Sequence, residues 1–219
     1  LIDKLPDLRW VKVGLELFVR TGPEILRELQ ERNLKVFLDL KFHDIPATMA
    51  ASCREAAKTG VNLISVHACA GHKALRESLL AASQGAQEAG LSVPPKLLAV
   101  TILTSWSQSS FNRDLVIQDT LVSRVRLLAN LAHKAGLQGC VCSPCELKEL
   151  RKIFPEDFEL ITPGIRSIVD KPLDQERFMS PYSALLAGAT RLVIGRPITR
   201  ANNPSEEFKR ICREISTSN

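Results

Sequence analysis

Short apolar runs alternate with amphipathic stretches along most of the chain. The apolar runs are bounded by Gly, Pro or polar residues, which is typical of strands: WVKVGLELF (10–18), KVFLDLK (35–41), LISVHA (63–68), KLLAVTIL (96–103), GCVCS (139–143), FELITPG (158–164) and RLVIGRP (191–197). The amphipathic stretches mostly end in Gly or Asn, the usual helix stop, and include residues 22–33, 46–60, 72–90, 120–136 and 180–189. A repeated order of strand and helix predicts a parallel sheet covered by helices.

The number of units predicts an α/β fold of the TIM (β/α)₈ barrel class, which usually takes about 250 residues. We expect a single catalytic domain over residues 1–219. The opening residues LIDKLPD resemble the end of a helix, so the first barrel strand is expected to be missing from this chain. An open doubly wound sheet is the alternative, but no G-x-G-x-x-G motif follows any of the predicted strands.

Composition narrows the class of protein. No apolar run reaches the roughly 18 residues of a membrane span, and no signal-peptide pattern opens the chain, so we expect a cytoplasmic protein without membrane contact. A net charge of +5 raises the alternative of a nucleic-acid-binding protein. Because the basic residues are scattered and only one Tyr is present, an anionic small molecule is the better expectation.

The segment GCVCSPC places Cys140, Cys142 and Cys145 close together, as metal ligands would be. Zinc sites usually combine such a group with a second Cys or His pair, and none is evident nearby. We therefore expect a core strand and reduced thiols at this segment, and no metal.

Polar residues stand where the predicted strands end, which is where barrel enzymes keep their reactive groups. Within FLDLKFHD, Asp39 and Lys41 are two positions apart and are expected to share one face of the strand. Other candidates at strand ends are Lys12, Asp44, His67, Thr104, Arg166 and Arg196. Burying an unpaired ion costs roughly several kcal/mol of folding free energy. Several charged residues at strand ends therefore indicate a reaction site rather than a contribution to stability.

Each candidate also has a purely structural interpretation. Asp39 and Lys41 could form a buried ion pair, and Lys12 could extend from its strand end to solvent. His67 is expected to be a hydrogen-bonded core histidine, and His43 to cap a helix or face outward. These interpretations leave Asp44 without a role.

The last two strands carry a second pattern. Loops after strands seven and eight of a barrel often bind phosphate, and here they contain Arg166 and Arg196 beside glycines. A planar guanidinium can hold phosphate through two hydrogen bonds. The sequence therefore predicts a phosphorylated substrate.

These blocks resemble a known family. LDLKFHDIPATM (38–49) matches the signature D-x-K-x-x-D-I-P-x-T of orotidine 5′-phosphate decarboxylases. VKVGLELF, VTILTS, TPGIR followed by DQERF, and LVIGRPIT resemble that family's other blocks in the same order, from about residue 10 to residue 200. The chain is most similar to the stand-alone bacterial form.

The resemblance implies a cofactor-free decarboxylation of orotidine 5′-monophosphate to uridine 5′-monophosphate, the last step of de novo pyrimidine nucleotide synthesis. It implies a homodimer with shared sites, to which Asp44 and Thr48 contribute across the interface. The implied catalytic residues are Lys12, Asp39, Lys41 and Asp44, and the implied substrate-binding residues are Lys12, Asp39, Thr48, Thr104, Arg166, Gln175, Gly195 and Arg196.

The chain departs from the family pattern at two places. Family members begin with a strand resembling VALD, to which nothing here corresponds, and Leu173 stands where their phosphate loop has glycine. Two alternatives within the fold stay open: a Mg²⁺-dependent sugar-phosphate decarboxylase or aldolase, and a non-catalytic nucleotide-binding barrel. Pro46 and Thr48 favour the decarboxylase over the first alternative.

Overall fold

Strands and helices alternate in the computed structural model, which describes residues 1–5, 7–166 and 178–216. The strands are β1 (Trp10–Gly14), β2 (Lys35–Phe42), β3 (Leu63–His67), β4 (Lys96–Val100), β5 (Gly139–Val141), β6 (Glu159–Thr162) and β7 (Arg191–Leu192). The α-helices are α1 (Leu15–Thr21), α2 (Glu24–Glu31), α3 (Pro46–Lys58), α4 (His72–Glu88), α5 (Gln108–Leu115), α6 (Leu121–Lys134), α7 (Leu147–Ile153), α8 (Pro181–Leu186), α9 (Arg196–Thr199) and α10 (Pro204–Ser216). Short 3₁₀ helices form at Ile2–Lys4, Ala68–Ala70 and Pro144–Glu146.

The strands follow one another in the sheet in chain order, from β1 to β7. The pairs β1–β2, β2–β3, β3–β4 and β6–β7 are all parallel. Parallel neighbours need a crossover connection, and the helices between consecutive strands supply it. The predicted parallel α/β sheet is confirmed.

The chain forms two compact units. The β1–β4 unit comprises Leu8–Thr101 and Leu127–Cys140. The β6–β7 unit comprises Leu1–Asp7, Ile102–Arg126 and Val141–Asn219. A single catalytic domain over residues 1–219 stays a prediction.

The core of the β1–β4 unit is built from strands that are buried on both faces. Residues 63–66 of β3 and 97–100 of β4 are all buried, so these strands do not alternate between buried and exposed residues, and Ser65 is the one polar residue among the eight. Helices α3 and α4 approach each other closely beside Gly85, where an added Cβ would lie 2.2 Å from the carbonyl oxygen of Arg54. This packing supports β2 and β3, whose ends carry the candidate site.

Some strands are shorter than the sequence predicts. The segment WVKVGLELF was expected to be extended throughout, but β1 ends at Gly14 and α1 begins at Leu15. An apolar run of this length fits a strand or a buried helix equally well by periodicity, which explains the error. Likewise, β4 ends at Val100, and β7 has only two residues, Arg191–Leu192.

Within the described ranges, no helix is long and apolar enough to cross a membrane. The segment GCVCSPC holds buried Cys140 and Cys142 and exposed Cys145, and none of the three forms a disulfide with the described residues. Among all the residues that the structure describes, no group of three or more His, Cys, Asp or Glu side chains could hold a metal ion.

Candidate active site

The carboxylate of Asp39 is the centre of a charge cluster at the ends of β1 and β2. Its Oδ2 atom lies 2.8 Å from Nζ of Lys41 and 3.4 Å from Nζ of Lys12. Its Oδ1 atom accepts a hydrogen bond of 2.8 Å from the hydroxyl of Ser65 on β3. Asp39 is only 8% exposed, so these three donors replace most of its hydration. The structure brings together three residues that the sequence predicted for this site.

The balance of burial and charge sets the protonation of Asp39. Burial pushes the pKa of this carboxyl upward, but the hydrogen bond from Lys41 and the positive charges of Lys12 and Lys41 outweigh it, with a further contribution from Ser65. The pKa of Asp39 is therefore lowered from its usual value of 3.8. Asp39 is a carboxylate at neutral pH and can orient the ammonium of Lys41.

The backbone of β2 is irregular where it carries these charges. Leu38 pairs with Ile64, and Phe42 pairs with Val66, so three residues of β2 stand opposite Ser65 alone. Lys41 lies in this bulge with a φ of +53°. A non-glycine residue in the left-handed region costs about 1–2 kcal/mol, and bulges are frequent beside active sites, where they redirect a side chain. The predicted shared face therefore depends on a bulge, and regular strand alternation does not explain it.

Lys12 reaches Asp39 by extending along its own strand. The register pairs Gly14 with Asp39, whereas Lys12 pairs with Phe37. The Lys12 side chain must therefore pass over Gly14, two residues further along β1. A Cβ atom at Gly14 would lie 2.9 Å from Nζ of Lys12. The missing side chain at Gly14 leaves the room that the ammonium occupies.

Asp44 and Thr48 lie beyond the charge cluster, where the chain enters α3. The carboxylate of Asp44 accepts a hydrogen bond of 2.7 Å from the backbone N–H of Ile45, and Pro46 occupies the first turn of the helix. Asp44 and Thr48 are exposed, as is the apolar side chain of Ile45, at 66%. Asp44 makes no ion pair with the part of the chain that the structure describes.

Two histidines and a cysteine lie beside the cluster. The rings of His43 and His67 are 5.3 Å apart between centroids, and Nε2 of His43 lies 3.7 Å from Sγ of Cys69. Burial, then the charges of His43 and Lys41, lower the pKa of His67 despite the opposing effect of Asp39. His67 is half-buried rather than fully within the core, and His43 is exposed, as expected.

The predicted phosphate residues belong to the β6–β7 unit. Arg166 is buried, and its backbone N–H donates to the carbonyl of Met179 over 3.0 Å. Gly195 is exposed with open space around it, and its carbonyl accepts hydrogen bonds from the backbone N–H groups of Ile198 and Thr199 in α9, which begins at half-buried Arg196. Thr104 is half-buried in a turn that follows β4. Gln175 and Leu173 lie outside the described residues.

Two uncharged residues of the charge cluster, Ser65 and Gly14, were missed by reasoning from the sequence. Ser65 had a signal, because it is the one hydroxyl within the apolar run LISVHA. A polar side chain in a fully buried strand needs a partner, and that requirement could have identified it. Gly14 had a weaker signal, its spacing of two from Lys12 in a strand.

Comparison with known proteins gives consistent results. Residues 1–211 match the model of the orotidine 5′-phosphate decarboxylase / HUMPS family. A protein of Prochlorococcus marinus (strain MIT 9211) named orotidine 5′-phosphate decarboxylase is 59% identical over 216 residues, which cover 99% of this chain and 89% of that protein. One of that name from Parasynechococcus marenigrum (strain WH8102) is 56% identical over 97% of this chain and 86% of its own length.

A solved structure described as orotidine 5′-phosphate decarboxylase from Lactobacillus acidophilus has a TM-score of 0.83 and 34% identity, covering 98% of this chain and 91% of that one. This likeness confirms the predicted α/β fold of the TIM-barrel class. Both the family model and the relatives extend over nearly the whole chain. The chain therefore belongs to the orotidine 5′-phosphate decarboxylase / HUMPS family.

Proposed function

We propose that this chain removes the carboxylate of orotidine 5′-monophosphate as CO₂ and yields uridine 5′-monophosphate. The observation that carries the proposal is the buried carboxylate of Asp39, which holds the ammonium groups of Lys41 and Lys12 at 2.8 and 3.4 Å. Relatives named for this activity are 52–59% identical to the chain. Roles in this reaction are therefore assigned first to Lys41 and Asp39, and then to the residues that would bind the rest of the substrate.

The reaction demands a fixed positive charge. When the bond between carbon 6 of the pyrimidine and the carboxylate breaks, the electron pair stays on carbon 6 in an sp² orbital that the ring π-system cannot delocalise. The ammonium of Lys41 lies beside this developing charge and then donates the proton that replaces CO₂. Lys41 regains a proton from solvent after product release, so the site returns to its starting state. This scheme requires neither a metal nor an organic cofactor.

Asp39 contributes by holding Lys41 in place before the reaction begins. Its carboxylate is itself buried and already bonds both lysines, so little reorganisation of these groups is needed as charge develops. A negative charge near the departing carboxylate would also raise the energy of the bound substrate. Orientation of Lys41 is the effect that the distances support directly.

The phosphate of the substrate is assigned to Arg166, Gln175, Gly195 and Arg196, and Thr104 is assigned to the pyrimidine. The family resemblance and the chemistry of guanidinium with phosphate support these roles. Binding energy from a remote phosphate can be used to close the site around the reacting end of the substrate.

One experiment tests the proposed function. The purified chain is incubated with orotidine 5′-monophosphate in EDTA, and loss of the pyrimidine's ultraviolet absorbance is followed. We expect turnover that EDTA does not change. No turnover would overturn the proposal, and turnover of a sugar phosphate that depends on added Mg²⁺ would favour the alternative activity within the family.

The proposal includes a two-fold homodimer in which Asp44 and Thr48 act in the partner's site. Exposed Asp44 and Thr48, together with the exposed apolar side chain of Ile45, support an interface at this edge. The proposal also includes one catalytic domain over residues 1–219. It places the chain in the cytoplasm, a reducing compartment that suits six cysteines without a disulfide among the described residues.

Mixing two inactive variants tests the shared site. In a heterodimer of Asp44→Ala and Lys41→Ala subunits, one site carries both defects and the other is intact. Random exchange of equal amounts gives half heterodimers, so activity should return to about one quarter of wild type.

The matched control for this mixing experiment combines Lys41→Ala with Asp39→Asn. Both of these residues belong to the same subunit's site, so every site keeps a defect and no rescue is expected. Failure of the first mixture, with subunit exchange confirmed by mass spectrometry, would place Asp44 in its own subunit's site.

A further inference from the structure

Ser65 stands opposite the irregular part of β2 that carries the charge cluster. The neighbouring pairs are Leu38 with Ile64 and Phe42 with Val66, so Ser65 alone faces Asp39, Leu40 and Lys41. A bulge of this kind removes ladder hydrogen bonds from the strand. Some other group must then satisfy the backbone donors of the bulge.

The hydroxyl of Ser65 meets this need and does one thing more. Its Oγ atom accepts a hydrogen bond of 2.9 Å from the backbone N–H of Lys41. The same hydroxyl donates its proton to Oδ1 of Asp39 over 2.8 Å. Ser65 is 0% exposed, so water does not compete for either bond.

We propose that Ser65 is a positioning residue that holds the backbone of Lys41 and the carboxylate of Asp39 in their working geometry. This inference rests on the proposed function and extends it to a residue that does not touch the reacting atoms. One hydroxyl fixes both the left-handed backbone at Lys41 and the second oxygen of Asp39. Oδ2 of Asp39 is then left for the two ammonium groups.

Removal of the hydroxyl has two predictable consequences. The N–H of Lys41 loses its buried acceptor, so the bulge can relax away from its φ of +53°. Asp39 loses a donor that helps to lower its pKa. The charged or titratable groups that face Asp39 are Lys12 from β1, Lys41 from β2 and His67 from β3.

The test compares Ser65→Ala with wild type in the decarboxylation assay across pH. We expect kcat to fall by about 10- to 100-fold, the range seen when groups that orient a reactive residue are lost. The dissociation constant of uridine 5′-monophosphate should change by less than about threefold, since Ser65 is fully buried and its hydroxyl is bonded to Lys41 and Asp39. The acidic limb of the kcat/KM profile should move to higher pH.

Two further variants separate positioning from folding. Ser65→Thr keeps the hydroxyl and should retain most of the activity, whereas Ser65→Cys keeps the packing but offers only a weak hydrogen-bonding group and should be impaired. Ser78→Ala is the matched control, because Ser78 is also fully buried in the same unit, and its hydroxyl faces the thiol of Cys53 rather than the charge cluster. This control should leave kcat and its pH profile unchanged.

A second readout does not depend on activity. With ¹³C-labelled aspartate, and the Asp39 signal assigned from Asp39→Asn, NMR titration should show a higher pKa for Asp39 in Ser65→Ala or Ser65→Cys than in wild type or Ser78→Ala. An unshifted Asp39 pKa with unchanged kcat would overturn the role of Ser65. If wild type did not decarboxylate the substrate while the Asp39 pKa shifted as expected, the proposed function would fail and the positioning of Asp39 would stand.

Discussion

Gly14→Ala is expected to disturb Lys12 without disturbing the fold. The backbone of Gly14 is extended, with φ of −96° and ψ of 179°, so alanine can adopt it without strain. The new Cβ would lie 2.9 Å from Nζ of Lys12, well inside the ordinary contact range of 3.4–4 Å. The far end of a lysine side chain moves easily, so the ammonium should yield rather than the strand.

The displacement determines the size of the effect. Nζ of Lys12 is 3.4 Å from Oδ2 of Asp39, and a movement of about 1 Å takes the pair beyond the range of an ion pair. At an effective dielectric constant of about 20, lengthening a charge pair from about 3.4 to about 4.4 Å weakens it by about 1 kcal/mol, or about fivefold in rate. Lys12 is 33% exposed, so solvent screens part of this loss.

Misplacement of a charge in the transition state can add to the direct electrostatic loss, since an error of about 1 Å can cost about 100-fold in rate. We therefore expect kcat/KM of Gly14→Ala to fall between about 5- and 100-fold. Steady-state decarboxylation kinetics measure this loss. Urea unfolding should show a change in stability of no more than about 1 kcal/mol, the scale of an altered helix N-cap at α1.

Two comparisons make the explanation refutable. Gly14→Ser restores a good N-cap residue but keeps the Cβ, so it should recover stability and not activity. In a Lys12→Ala background the added methyl group has no ammonium to displace, so Gly14→Ala should then have little further effect. An equal loss in both backgrounds, or no loss at all, would show that Gly14 does not act through Lys12.

Other substitutions separate the proposed roles. Lys41→Ala should abolish turnover but change uridine 5′-monophosphate binding by less than about tenfold in calorimetry; equal losses would make Lys41 a general binding residue. Arg196→Ala should weaken substrate binding by about 2–4 kcal/mol, but hardly affect the unphosphorylated nucleoside, while exposed Arg200→Ala should change neither. Because the pKa of His67 is lowered from 6.5, the folded chain binds fewer protons just below that pH; the free energy of unfolding in urea should therefore fall from about pH 7.5 to about pH 5.5, and less so in His67→Gln.

The alternation of strands and helices was predictable because it depends on apolar periodicity, which is written along the whole chain. The ends of elements were less so. At β1 the apolar run continues from Val13 into Leu15 and Leu17, and the change from strand to helix falls at Gly14, where the backbone is still extended. Hydrophobicity does not change at this boundary, so periodicity could not locate it.

Asp39 and Lys41 could be predicted as site residues because burying a charge in a strand costs folding free energy, which a reaction site explains. The device that brings them together is different in kind. The left-handed backbone of Lys41 has no signal in the residue type, because lysine rarely adopts it and the bulge arises only from pairing with β3. Its register is a property of two strands, and one strand alone cannot reveal it.

The uncharged residues around the cluster follow from the same reasoning. Serine and glycine carry no charge, so neither draws attention when the sequence is read one element at a time. Ser65 matters because a bulge opposite it leaves an N–H to satisfy, and Gly14 matters because Lys12 must cross it to reach Asp39. Both needs are created by neighbouring strands. The charged residues of such a site can therefore be predicted from the free-energy cost of burying them. Predicting the residues that orient those charges requires knowledge of the strand register.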